Sequence, residues 1–234
     1  MAKAKENAAW EEDKKAAALM AVKEVKGGMK LGLGTGSTVR YFIEELGRRR
    51  FPGPVVPSSN ATEELARKVG LKVVALDGVA GGRGGEEEAG SLLDLYVDGA
   101  DEVDRNYDLI KGGGGALTRE KVVASASAEF VCVVDGTKVV GKIGAFPLPI
   151  EVIPFAKAYV VSELEELGGK PVERMKFVTD NGNMILDVSG LDFKDPLQLE
   201  TELNNIPGVV ENGIFAVRQP ERVIVGRDGK ASYM

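Results

Sequence analysis

The stretch from Met29 to Asp77 switches repeatedly between short apolar runs and helical spacing, and this constrains the fold more than any other part of the chain. "MKLGLG", "PVVPSS" and "LKVVALD" have strand length and strand composition. Between them, "TGSTVRYFIEEL" places Val39, Phe42, Ile43 and Leu46 on one helical face. "NATEELARKVG" opens on Asn60 as a candidate N-cap, carries Glu63 three residues on, and closes on Gly70. Strand, helix, strand, helix, strand predicts a parallel sheet covered by helices on both faces.

The flanks extend this pattern. "MAKAKENAAWEEDKKAAALMAVKEV" predicts a helix with Trp10, Ala17, Met20 and Val25 loosely on one side. "SLLDLYV" and "EFVCVVD" predict further strands, "ALTREKVVASASA" a helix and "DGTK" a turn, while "GVAGGRGGEEEAG" (residues 78 to 90) predicts a surface loop. At "FPLPIEVIP" the texture changes, and Pro147, Pro149 and Pro154 predict a crossover rather than a regular element. Beyond it, the helices "AKAYVVSELEELGG" and "LQLETELNNI" alternate with the strands "FVTDNG", "MILDVSG" and "GIFAVR", with "DNGN" as a hairpin signal. The expected class is therefore α/β, a parallel-sheet domain with a second, smaller α+β domain.

Composition narrows the chemistry. A chain of 234 residues, 44% hydrophobic and 28% charged, suits one large or two small folded domains. A formal charge of −6 argues against a broad basic face for nucleic acid. The single cysteine, Cys132, lies in the apolar run "FVCVV", reads as a buried strand residue, and leaves no intramolecular disulfide. There is no histidine at all, so histidine-based nucleophilic or acid–base catalysis is out and proton transfer falls to Asp, Glu, Lys or Tyr. No stretch approaches the ~20 apolar residues of a membrane span, and the N-terminus lacks the apolar core of a secretory signal. A cytoplasmic protein that binds neither membrane nor nucleic acid is expected.

Three segments carry candidate chemistry. "GLGTGST" lies between a strand and a helix with glycines at 32, 34 and 36, which is neither the dinucleotide spacing nor a P-loop. Backbone N–H groups at a helix start beside Thr35, Ser37 and Thr38 suit a small anion such as phosphate, as does "SSNAT" at the end of the next strand; a tight capped turn is the plainer reading. Next, "DGAD" sets Asp98 and Asp101 at a strand end, as a ligand site, a solvated turn or a metal site, although the nearby Lys111 disfavours a cation. Finally, Lys111 followed by Gly112, Gly113, Gly114 and Gly115 joins an ammonium to unhindered amide donors, which suits oxyanion stabilisation better than a flexible linker. Glu120, at the start of the following helix, is a candidate base for a proton beside a carbonyl, or an ordinary N-terminal helix acid. Lys138 in "DGTK" adds a possible cation at a strand end.

Taken in order, "GLGTGST", "SSNAT", "DGADEVD", "KGGGGALTREK", "VVDGTK", "FPLPIEVIP", "TDNGN" and "IPGVV" resemble ribose-5-phosphate isomerase of the A type, from about residue 30 to about 226. "DGADE" with "KGGGGALTREK" is the specific part, and the main departure is the long Gly/Glu-rich loop. The resemblance implies a Rossmann-like domain (residues 1–144 and 216–234) and a small α+β domain (145–215). It implies interconversion of ribose 5-phosphate and ribulose 5-phosphate through an enediolate, with no metal or organic cofactor, in a homodimer or homotetramer. Carried over by motif, Glu120 would shuttle the proton between C2 and C1. Lys111 and the amides of Gly112, Gly113 and Gly114 would hold the enediolate, and Asp101 would fix the sugar hydroxyls. Asp98 would assist ring opening, and Thr35, Gly36, Ser37, Thr38 and Lys138 would hold the substrate and its phosphate.

Overall fold

The computed structural model describes residues 2–80 and 91–234. In chain order its elements are α1 (Ala2–Ala21), β1 (Leu31–Leu33), α2 (Ser37–Arg48), β2 (Pro54–Pro57), α3 (Asn60–Lys68), β3 (Lys72–Val73), α4 (Leu76–Ala80), β4 (Leu93–Asp98), β5 (Glu102–Val103), β6 (Leu109–Ile110) and α5 (Leu117–Ser125). Then come β7 (Ser127–Asp135), β8 (Leu148–Val152), α6 (Lys157–Glu166), β9 (Lys170–Glu173), β10 (Met184–Ser189), α7 (Pro196–Asn204), β11 (Val209–Asn212), β12 (Ile214–Phe215), β13 (Arg222–Arg227) and β14 (Lys230–Tyr233). They form two compact units, one of Met1–Gly99, Val122–Thr137 and Pro220–Met234, the other of Ala100–Lys121 and Lys138–Gln219.

The first unit is built on a seven-stranded sheet in the order β14-β13-β7-β4-β1-β2-β3, parallel except for the terminal β13–β14 pair. The expected α2 face is buried as spaced: Val39, Phe42, Ile43 and Leu46 pack with Leu31, Leu33, Val55, Leu95 and Val97 of the sheet. Cys132 is fully buried in β7. Strand register does the work of positioning. Leu33 pairs with Pro57 on one side and with Val97 on the other, so the chain leaves β1, β2 and β4 at the same edge. The crossover from β3 to β4 reverses the strand order beside β1, and ligands of such sheets bind at that reversal.

Several details depart from expectation in this unit. The cap of α3 is Ser59, not Asn60: Ser59 is extended and its Oγ accepts from Thr62 N at 3.1 Å, whereas Asn60 is already helical. "LKVVALD" holds only the two-residue β3 before turning into α4, and the loop expected over 78 to 90 lies outside the described residues from 81 onward. On α1 the buried side chains are Ala17, Ala18 and Ala21, while Trp10 is 38% exposed and Val25 follows the helix. Alanine brings a helix close to a sheet without a large side chain to seat.

In the second unit, β11-β8-β10-β9 form an antiparallel sheet, and β12-β6-β5 form a separate three-stranded one. Leu148, Ile150 and Val152 of β8 bury against Val160 and Leu164 of α6 and Leu199 and Leu203 of α7. The smaller domain is therefore larger than its expected span of 145–215. Residues 100–121 and 138–144 join it because β5 and β6 pair with each other and with β12, Val103 bridges Val139, and Glu102 accepts from Gly144 N at 2.7 Å. Strands of two residues carry no period for a reader of sequence to detect.

"FPLPIEVIP" is likewise a correction, since it contains β8, an inner strand. Pro149 is tolerated because its carbonyl faces Gly213 N (2.9 Å), just past the end of β11, and its missing N–H would face the same way. The hairpin partner of β10 is β9 rather than "FVTDNG"; residues 179 to 183 form a turn closed by Thr179 N to Asn183 O at 2.9 Å. "GIFAVR" supplies only the two residues of β12.

Candidate active site

At the common edge of the first unit, Asp98 is fully buried, and a buried carboxylate needs donors. Its donors include Thr35 N at 2.9 Å and Gly99 N at 2.7 Å, both on Oδ1, and the Tyr96 hydroxyl on Oδ2. Gly34 is required here, because a Cβ would stand 2.0 Å from Asp98 Oδ1. The two hydroxyl-rich turns meet as anticipated. Thr35 Oγ1 donates to Ser59 Oγ (2.8 Å), Ser59 Oγ to Thr62 Oγ1 (3.0 Å), and Thr62 Oγ1 to the carbonyl of Gly34 (2.8 Å). This directed chain fixes the strand end against α3.

A cavity of about 480 Å³ lies beside it, lined by Thr35, Gly36, Ser37, Arg40 and Thr62 among others. Gly36 precedes α2 at φ 121°, and Ser37 and Thr38 begin that helix, whose N-terminal amides favour an anion. Arg40 escapes a reading by motif, yet it stands three residues after Ser37, and that spacing puts it on the same helical face. Its guanidinium lies 3.7 Å from Glu11, whose carboxyl is held below the usual range by Lys14 and Tyr41.

In the second unit, Lys111 and Glu120 are 2% and 4% exposed, and Lys111 Nζ lies 3.2 Å from Glu120 Oε2. Lys111 follows β6 and is anchored by its own N–H to Gly213 O at 2.9 Å. Glu120 sits in the first turn of α5, where the helix dipole favours a negative side chain. Between them, Gly112 takes φ 99°, a conformation glycine adopts without strain, and Gly115 N closes a turn onto Gly112 O at 2.8 Å. Asp101 accepts from Gly113 N at 2.7 Å, and Arg174 donates to the carbonyls of Gly112 and Gly113 at 3.2 Å each. The glycine run is thus a fixed loop rather than a linker.

Glu102 and Asp104, the other two acids of "DGADEVD", are structural. Glu102 accepts from Gly144 N and Phe146 N, and Asp104 from Asn106 N and Asp108 N. Lys138 ends a 3₁₀ turn and is half-buried. The carboxylates of Asp98 and Asp101 are engaged by N–H and O–H donors, and among the described residues no group of three His, Cys, Asp or Glu is placed to hold a metal ion.

Sequence reading also missed the supports. Glu151, fully buried in β8, accepts from the Thr118 hydroxyl, from Thr179 Oγ1 (2.8 Å) and from the side chains of Asn181 and Asn183. Arg119 donates to Asn181 Oδ1 at 2.8 Å. "TDNGN" therefore clasps the first turn of the helix that carries Glu120. An isolated Glu in "PIEV" gives no sign of that role, because its partners lie about 30 residues away on either side.

Fold and site together define an α/β protein with a mostly parallel sheet, a separate antiparallel sheet and a buried carboxylate–ammonium pair. The chain belongs to the ribose 5-phosphate isomerase A (phosphoriboisomerase A) family, whose sequence model matches residues 54–230. It is 48% identical over 217 residues to ribose-5-phosphate isomerase A of Acidithiobacillus ferrooxidans, covering 92% of this chain and 94% of that protein. The structure of ribose 5 phosphate isomerase A from Neisseria gonorrhoeae is similar at TM-score 0.89 and 41% identity, over 96% of each chain. A D-ribose-5-phosphate isomerase in complex with phospho-erythronic acid is similar at TM-score 0.86 and 41% identity, over 96% of this chain and 98% of that one.

Proposed function

We propose that this chain interconverts D-ribose 5-phosphate and D-ribulose 5-phosphate through an enediolate, without metal or organic cofactor, as a step of the non-oxidative pentose phosphate pathway. The observation that carries this reading is the buried Lys111–Glu120 pair at 3.2 Å beside the ordered glycine loop. A C–H next to a carbonyl is a weak acid, so the demanding task is to stabilise the oxyanion that forms when the proton leaves. Each well-aimed donor to such an oxyanion is worth about 2.7–4 kcal/mol. The similar isomerase that holds phospho-erythronic acid supports the same chemistry, since a carboxylate presents two oxygens on a planar carbon much as an enediolate does.

In this reading Glu120 is the base that carries the proton between C2 and C1. The Lys111 ammonium and the amides of Gly112, Gly113 and Gly114 take up the negative charge. Asp101, already bonded to Gly113 N, holds both the loop and the sugar hydroxyls. Asp98 assists ring opening. Thr35, Gly36, Ser37, Thr38 and Lys138 hold the substrate and its phosphate, an assignment supported by the hydroxyl-lined cavity at the start of α2. The chain would work as a cytoplasmic homodimer or homotetramer. Exposed apolar side chains on the second unit, among them Phe155 at 98% exposure, Met175 and Tyr159, favour self-association. Among the described residues no helix is long and apolar enough to cross a membrane.

A coupled assay with ribose 5-phosphate, run beside arabinose 5-phosphate and allose 6-phosphate and repeated with a strong chelator, tests the proposal. Turnover confined to or greatest with ribose 5-phosphate, and undiminished by chelation, is expected. Absence of that turnover, or activity that returns only with Mg²⁺ or Mn²⁺, would overturn it.

A further inference from the structure

Lys121, next in the chain to Glu120, is 7% exposed and held by four oxygens: Glu200 Oε1 at 2.7 Å, Glu211 Oε1 at 2.9 Å, and the carbonyls of Asn212 and Ile214 at 2.9 and 2.6 Å. The other oxygen of Glu200, itself 2% exposed, accepts from Ala216 N and Val217 N, both at 2.8 Å. One buried ion pair thus grips the backbone on both sides of residue 215, by the carbonyl before it and by two amides after it.

The residue so gripped is Phe215, fully buried, with its ring centroid 5.5 Å from Lys111 Nζ and 4.8 Å from Lys121 Nζ. Backbone pairing fixes the same neighbourhood, since Phe215 is in register with Leu109 and Lys111 N bonds Gly213 O. The face of an aromatic ring is electron-rich and attracts an ammonium, more strongly where water is excluded. A ring also has no hydrogen-bond acceptor that would draw the Lys111 N–H groups away from Glu120 or from a substrate oxygen.

We propose that Phe215 is a positioning residue for this reaction: its ring, clamped by the Lys121–Glu200 pair, holds the Lys111 ammonium toward Glu120 and the developing oxyanion. The proposal rests on the isomerase reading of the Lys111–Glu120 site. It predicts that turnover depends on the electron density of the ring and not merely on its shape.

The test replaces Phe215 in the full chain with mono-, di- and trifluorophenylalanine, which keep the shape and progressively drain the ring face. The expected result is a stepwise fall in kcat on ribose 5-phosphate, reaching about 3- to 30-fold for the trifluoro ring, with KM changed less than about twofold. Phe215→Leu should fall at least as far, and Phe215→Trp, whose ring face is richer, should recover part of the loss where it folds. A flat kcat across the fluorinated series would overturn the proposal, because a packing role is indifferent to fluorination. If the unsubstituted chain does not turn over ribose 5-phosphate, the isomerase reading falls, and the same series is then read by calorimetric binding of phospho-erythronic acid. Affinity that weakens stepwise sustains the hold of the Phe215 ring on the Lys111 ammonium, and affinity that does not change overturns it.

Discussion

In the first unit the polar groups at the sheet edge meet mostly as neutral partners: Thr35, Ser59 and Thr62 pass hydrogen bonds in one direction to the carbonyl of Gly34. In the second unit Lys111 and Glu120 meet as opposite charges, both nearly excluded from water, and a second buried pair, Lys121 and Glu200, stands one residue further along the same helix. The two constructions fail differently. A neutral hydrogen bond contributes about 0.5–1.5 kcal/mol net, so a chain of them can lose a link and keep its shape. A buried charge that loses its partner is left uncompensated, at about 3–5 kcal/mol. A ligand-holding edge tolerates the first kind of construction. A proton-transferring pair needs the second, because the charge must already be in place when the reaction calls for it.

The sharpest way to break this comparison is Lys111→Met, which keeps most of the unbranched side chain and removes its charge. It should lower kcat by about 10²–10³-fold and also lower the melting temperature, the first from lost oxyanion stabilisation and the second from a stranded Glu120. Steady-state kinetics and a thermal melt read both, and a wild-type kcat would contradict the role given to the ammonium. Thr35→Val, a near-isosteric change in the first unit, should instead raise KM about tenfold and leave kcat within about threefold. A fall in kcat as deep as that of Lys111→Met, at unchanged KM, would mean that Thr35 serves chemistry rather than binding.

A smaller effect separates charge pairing from burial alone. Asp108 is buried, and burial, opposed by a hydrogen bond from Gln219 and aided by the nearby carboxylates of Asp104, Glu200 and Asp195, pushes its carboxyl above the usual range. A raised folded-state value means that its favourable contribution is full at low pH and is lost as pH rises through that value. Asp108→Asn should therefore be more stable than the wild type at neutral pH, with the difference shrinking as pH falls through the ordinary carboxylate range. Urea unfolding at neutral and at acidic pH measures it, and equal stability at neutral pH would remove Asp108 as a contrast to the paired Glu120.

What was legible in the sequence follows from the same division. Periodicity exposes elements long enough to repeat, and so α2, with Val39, Phe42, Ile43 and Leu46, and the parallel strands β1, β2 and β4 stand out. Chemistry compressed into adjacent residues is equally visible, as with Lys111 and the four glycines. Partners far apart in the chain are not: Lys121 meets Glu200 across 79 residues, and Glu151 meets Thr118 across 33. The domain boundary shifted for a related reason, because β5, β6 and β12 are two residues each and take their identity from one another. Pro149 misled because a missing N–H breaks a strand only where a partner needs it.

The central claim is that Glu120 moves the proton, and Glu120→Gln tests it most directly because it keeps the shape and removes the base. Ribose 5-phosphate should bind within a few-fold of wild-type affinity by calorimetry. In D₂O, conversion and deuterium uptake at C1 and C2, followed by NMR, should slow by about 10²–10⁴-fold. Conversion and exchange at near wild-type rates in that variant would contradict the account.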